Sequence, residues 1–255
     1  MFAVPSFFGF QKAGFGPTVD PDAQAFFDRV TAAGGTLSVT EQTATNQLVL
    51  DMKSAGIWTA MRAVYPMVGA SAAACAQNLV SSSFTGTFSS GWTFASTGST
   101  PNGFSAFMNT SLNWDTNTSL DDVSFGAYIR NLGGIYYGVV QGGAYTLIAT
   151  RTTCDFYINE NGTSSAATLV VGLHSATRKN STQQSMYING VATTGTRNST
   201  SKPNANFWFG AANGFPTFSS AELSIAFISD GLDATQNTNF YTAVQAFQTT
   251  LTRNV

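Results

Sequence analysis

Val123-Ser-Phe-Gly-Ala-Tyr-Ile-Arg130 alternates so that Val123, Phe125, Ala127 and Ile129 share one face of an extended chain. From about residue 70 the same texture recurs. Short segments rich in Phe, Tyr, Val, Ile and Thr alternate with clusters of Gly, Asn, Asp and Ser. This recurrence constrains the fold most, because short strands separated by turn signals pair antiparallel and close into two packed sheets. The strands expected are Phe84–Phe88, Trp92–Ala95, Phe104–Thr110, Val123–Arg130, Ile135–Gln141, Tyr145–Thr150, Cys154–Asn159, Thr168–Leu173, Ser185–Ile188, Asn206–Gly210 and Glu222–Ile228. The fold class expected is mainly β, an antiparallel β-sandwich of jelly-roll type with an N-terminal helical segment and a C-terminal helix.

The flanks read differently. Residues 1–19 form an arm in which Phe2, Phe7, Phe8, Phe10 and Phe15 are interleaved with Gly and Pro, so no regular period holds. Such an arm is too apolar to float in water; it docks either on a partner surface or on its own domain, and the five phenylalanines are the candidate anchors. Residues 20–69 read as helical. Asp20-Pro21 supplies a cap and a proline at the first helical position, and Ala23, Phe26, Phe27, Val30 and Ala33 share one face. Ser38 and Glu41 make a capping box. A short third helix is expected over Ile57 to Ala63, ending at Tyr65-Pro66. Residues 70–232 form the sandwich, and 233–255 a last helix capped by Asp233 and Gln236. Its Phe240, Val244, Phe247 and Leu251 are spaced to dock on the sandwich or on a neighbouring subunit.

Composition excludes several function classes. Only 9% of the 255 residues are charged, where about 25% is usual, and Thr, Ser and Asn (34, 26 and 18) take their place. With a net charge of −2 and scattered basic residues, no nucleic-acid footprint is present. No apolar run approaches a membrane span, and Met1 to Gly14 lack the pattern of a secretory leader.

Chemistry-bearing residues are few. Cys75 and Cys154 read as free buried thiols, and His174, the single histidine, as a structural residue at the end of a buried strand. Glycoside hydrolysis needs two suitably spaced carboxylates, and none of Glu41, Glu160 and Glu222 has an acidic neighbour at such spacing. No catalytic residue and no cofactor are expected. The weak metal candidate is Asp115, Asn117, Asp121 and Asp122, hard oxygen ligands of the kind calcium takes.

Thr168-Leu-Val-Val-Gly-Leu-His-Ser175, Gln184-Ser-Met-Tyr-Ile-Asn-Gly-Val191, Asn206-Phe-Trp-Phe-Gly-Ala211 and Ala221-Glu-Leu-Ser-Ile-Ala-Phe-Ile228 resemble, in that order, the strands of concanavalin A-like (laminin G-like) sandwiches. Gly56-Ile-Trp-Thr-Ala-Met-Arg-Ala-Val-Tyr-Pro-Met-Val-Gly69, with Asn78-Leu79, Gly91-Trp92, Thr100-Pro-Asn-Gly103 and the closing Phe240–Leu251 segment, resembles virion proteins of tailed phages of crAss-like and related type. That resemblance implies a non-enzymatic virion surface protein, a head fibre, decoration or tail adhesin made in the host cytoplasm. Its expected partners are other virion proteins, further copies of itself as a trimer, and a host-surface glycan met by Tyr or Trp in polar loops. A free or calcium-dependent lectin is the alternative, and a glycoside hydrolase a more distant one.

Overall fold

The computed structural model describes residues 19–150 and 152–255. The anchors Phe2, Phe7, Phe8, Phe10 and Phe15 lie outside the described residues.

Two sheets face each other, as the strand texture implies. Across the first run β13 (Val191–Thr196), β12 (Gln183–Ile188), β11 (Gly172–Asn180), β6 (Val123–Ile129), β17 (Leu223–Ser229), β4 (Gly98–Pro101) and β3 (Trp92–Ala95), with β1 (Met61–Tyr65) also along β17. Across the second run β10 (Ser165–Ala167), β9 (Cys154–Glu160), β8 (Ala144–Thr150), β7 (Tyr136–Gln141), β14 (Asn206–Phe209), β5 (Met108–Asn113) and β2 (Thr87–Phe88). A hairpin of β15 (Ala211–Asn213) and β16 (Phe215–Phe218) joins the second sheet, with β15 parallel to β7. Val123, Phe125, Ala127 and Ile129 all point between the sheets, against Tyr137, Ile148, Phe156, Phe207 and Phe209. Trp114, which opens the short helix α4 (Trp114–Asn117; α3 is Ala72–Cys75), fills the same core and donates its indole N–H to Asn159 Oδ1 at 2.7 Å.

The other face of the first sheet is buried as well. Tyr128, Ile225 and Phe227 pack under α1 (Pro21–Ala32), α2 (Val39–Ser54) and α5 (Ala234–Thr250). The caps are those expected: Asp20 accepts from the Asp22 N–H, and Ser38 with Glu41 and Asp233 with Gln236 form reciprocal boxes. Phe240, Val244 and Phe247 are buried on the chain's own sheet and helices, and Leu251 is partly buried beside them. Those side chains dock on the body of the chain, the first of the two placements expected for this helix.

Four local expectations change, the first being the strand placed at Phe84–Phe88, of which only Thr87–Phe88 pairs. Ile57 to Ala63 is not a helix: a single 3₁₀ turn, Trp58–Ala60, leads into β1, whose Ala63, Val64 and Tyr65 pair with Ile228, Phe227 and Ala226. The open edge of β17 offers ladder hydrogen bonds that a two-turn helix cannot match. The strand placed at Thr168–Leu173 begins instead at Gly172 and continues through polar residues to Asn180, so His174 lies near its start. Its Arg178 is fully buried, and burial lowers its pKa. Five carbonyl oxygens surround Arg178, among them Ile158 O and Arg197 O, both at 2.9 Å. Phe104 stands outside β5, on a loop where Asn102 Oδ1 accepts three successive backbone N–H groups.

Candidate functional site

Among the described residues no helix covers the outer face of the second sheet, and an aromatic hollow forms there. It is built by alternation along β8. Ile148 enters the core while Tyr145, Leu147 and Ala149 face outward. Register then places Tyr136 of β7 beside Ala149, and Tyr157 of β9 beside Leu147. Leu147 and Ala149 are the floor, and Tyr136, Tyr145, Tyr157 and Phe215 of β16 are the walls of a hollow of about 380 Å³. The Tyr145 and Tyr157 rings lie 5.8 Å apart at 31°. The Tyr136 hydroxyl is tied down, donating to Thr150 O at 2.8 Å. Thr217 adds a hydroxyl, and Gly162 closes one side. Gly162 has φ +99, and a Cβ there would sit 3.2 Å from the Tyr145 ring, so glycine lets the turn reach the ring edge.

Such a lining offers flat apolar surface with a few hydroxyls and no charged side chain. A wider open groove, about 680 Å³, runs past Leu37, Ser38, Gly69 and Leu251. Its carboxylate is committed, since Glu41 accepts from the Ser38 and Gly69 N–H groups at 2.8 and 2.7 Å. It has no aromatic wall, and Leu251 lines it without making a site.

The calcium candidates do not converge. Asp115 pairs with Lys202 at 3.3 Å, and Asp122 with Lys179 at 2.7 Å. Asn117 turns its amide to Asn113 O at 2.9 Å. Asp121 has one carboxylate oxygen buried without a partner. A cation would have to displace two ammonium groups, so the loop's sequence density of oxygen ligands does not become a coordination shell. Among the described residues no three His, Cys, Asp or Glu side chains gather as metal ligands.

His174 is fully buried, with Nε2 2.7 Å from Val170 O and Nδ1 3.7 Å from Cys154 Sγ. A carbonyl only accepts, so Nε2 carries the hydrogen. Burial drops the imidazole pKa to about 4 and lifts the Cys154 thiol to about 12. Both stay neutral. Cys75 is likewise a buried free thiol. Glu222 pairs with Arg130 at 2.9 Å, and Glu160 is buried at the end of β9. No described helix is long and apolar enough to cross a membrane.

The cradle residues were not singled out by sequence reasoning, which assigned glycan contact to Tyr or Trp in loops. The available signal was Tyr145, Leu147 and Ala149 on one face of a strand, followed by Tyr157 on the next.

No family profile matches the chain, and no curated protein is similar to it in sequence. Solved structures do show likeness to it. The chain superposes on a Trypanosoma rangeli sialidase in complex with 2,3-difluorosialic acid with a TM-score of 0.50 at 9% identity, over 78% of this chain and 38% of that one. It also resembles domain 4 of AbnA, a GH43 extracellular arabinanase from Geobacillus stearothermophilus in complex with arabinotriose (TM-score 0.48, 14% identity, 71% and 97% covered). A third likeness is to the receptor binding domain of botulinum neurotoxin type G (TM-score 0.39, 14% identity, 65% and 48% covered). At 9% identity the sialidase likeness is one of architecture alone, and it agrees with the two facing sheets described above.

Proposed function

We propose that this chain is a non-enzymatic glycan-binding β-sandwich that holds a neutral sugar unit in the cradle of Tyr136, Tyr145, Tyr157 and Phe215. The observation that carries the reading is the cradle itself. Four aromatic side chains frame a hollow of about 380 Å³, lined by no charged side chain, on a face that no described helix covers. Aromatic faces offer the apolar C–H side of a sugar a surface, while the hydroxyls of Tyr145, Tyr157 and Thr217 offer its oxygens partners. The non-enzymatic reading is supported by the glutamates. Glu41 caps a helix, Glu222 is held by Arg130, and Glu160 is buried.

The setting we propose is the surface of a tailed-phage particle, on the strength of the sequence resemblance alone. The arm of residues 1–19 would be its attachment, and the cradle would meet host or environmental glycans.

The test is calorimetry of the full chain with neutral linear trisaccharides (maltotriose, cellotriose, arabinotriose). We expect binding that weakens about tenfold or more in Tyr145→Ala, the loss of one stacking wall being worth about 1.4 kcal/mol. Binding unchanged in both Tyr145→Ala and Tyr157→Ala would remove the cradle as the site. Immunogold labelling of particles, with an antibody against residues 80–230, tests the setting separately; unlabelled particles would dismiss it.

A further inference from the structure

Asn-Gly pairs occur four times in the chain, at Asn102-Gly103, Asn161-Gly162, Asn189-Gly190 and Asn213-Gly214. Each joins a side-chain amide to a backbone nitrogen that no neighbouring Cβ shields. Folding decides which pair is free to react. Asn102 Oδ1 accepts the N–H groups of Phe104, Ser105 and Ala106, and its Nδ2 donates to Ser105 Oγ at 3.1 Å. Asn189 Oδ1 accepts the Leu173 N–H and its Nδ2 donates to Val171 O, both at 2.9 Å. Asn213 Nδ2 donates to Asn206 O at 2.9 Å, and Gly214 lies so close to Val140 O that a Cβ would come within 2.0 Å of it. Asn161 differs on each count. It is exposed, it sits with Gly162 in a bend just past the end of β9, and no described residue holds its side-chain amide.

We infer that Asn161 is a self-modifying site, where the chain converts its own amide to a carboxylate at the rim of the cradle. The Gly162 nitrogen gives up its proton to water and attacks Asn161 Cγ. The new C–N bond closes a cyclic imide, and the side-chain nitrogen leaves as ammonia. Water, the one co-reactant, then opens the ring. Breaking the bond from nitrogen to Cγ leaves aspartate. Breaking the original peptide bond instead leaves isoaspartate, whose main chain runs on through Cγ.

The selectivity follows from what must be undone first. Each hydrogen bond that has to break before the side chain can turn slows the attack about fivefold, the equivalent of about 1 kcal/mol. Asn102 would break four, Asn189 two and Asn213 one. The place gives the reaction a consequence. Gly162 closes one side of the cradle, where a Cβ would meet the Tyr145 ring at 3.2 Å, and the lining carries no charged side chain. Conversion puts a negative charge beside that lining, and isoaspartate also adds a methylene to the main chain ahead of Gly162. Resting on the cradle as the sugar site, the change loosens one wall, so sugar affinity declines as the protein ages.

The experiment ages the full chain at mildly alkaline pH and body temperature, then maps its peptides by mass spectrometry with fragmentation that separates aspartate from isoaspartate. Maltotriose, cellotriose and arabinotriose affinities are measured on fresh and aged protein. We expect Asn161 to convert about fivefold or more faster than Asn213, with Asn189 and Asn102 slower still. Affinity should fall about fivefold in converted chain, while Asn161→Gln should keep its fresh affinity after ageing. In urea the four pairs should convert at similar rates. An intact Asn161 peptide, equal rates at another pair in the folded chain, or the same order of rates in urea would overturn the site. Selective conversion with affinity unchanged would overturn its effect on the wall. Selective conversion in a chain that binds no sugar when fresh would overturn the sugar site and leave the modification standing.

Discussion

The two outer faces of this sandwich were made from the same alternating pattern and came to opposite ends. On the first sheet Tyr128, Ile225 and Phe227 are covered by α1, α2 and α5, and Phe227 meets Phe240 edge-on at 4.6 Å. On the second sheet Tyr136, Tyr145, Tyr157 and Phe215 surround a hollow with no described helix over it. The residue types differ in a telling way. Beneath the helices, apart from Tyr128, the aromatic and aliphatic groups have no polar end. On the bare face three of the four aromatic walls carry a hydroxyl. An aromatic side chain left half exposed contributes less to folding than a fully buried one, and a cluster of such side chains offers a surface for a ligand.

Deleting one aromatic from each face is the strongest way to break this comparison. Phe240→Ala should cost roughly 3–5 kcal/mol in urea denaturation, because it empties a site that is fully buried between α5 and the sheet. Tyr145→Ala should cost no more than about 1 kcal/mol, since that ring is only partly covered. Comparable losses at the two positions would mean that the bare face is a structural core and not a binding surface. A smaller effect sharpens the account of the covered face. Asp233→Ala, which removes one half of the α5 capping box, should lower stability by about 1 kcal/mol without altering sugar affinity. The smallest effect belongs to the acidic loop. Because Lys202 and Lys179 occupy Asp115 and Asp122, adding millimolar calcium or a chelator should leave the melting temperature unchanged to within about 1 °C. A calcium-dependent rise of several degrees would restore a metal site there.

Much of the covered face could be read in the chain. Asp20-Pro21, Ser38 with Glu41, and Asp233 with Gln236 are local hydrogen-bonding devices complete within four residues, and each forms as read. Strand existence was similarly legible, since the alternation of Val123 to Ile129 states which side chains face the core. Boundaries were less so where burial is two-sided or polar. β11 runs on through Thr177, Arg178 and Lys179, because carbonyl groups distant in sequence satisfy the Arg178 guanidinium. Arg253 was invisible for the same reason. It is buried at the far end of the chain and donates to Met67 O at 2.9 Å, Pro66 O at 3.2 Å and Ser224 O at 2.9 Å.

The amino-acid sequence by itself determined the class of the fold, the caps and faces of its helices, and the neutrality of its surface. Those depend on period, on neighbours a few residues apart and on composition. Only the tertiary structure decided that residues 61–65 are a strand, that α5 is spent on its own body, and that the acidic loop meets lysines. It likewise decided that tyrosines on β7, β8 and β9 converge with Phe215 around one hollow. Each of those outcomes depends on which edges and faces are left open after the sheets close, and partners brought together by closure are not neighbours in the chain.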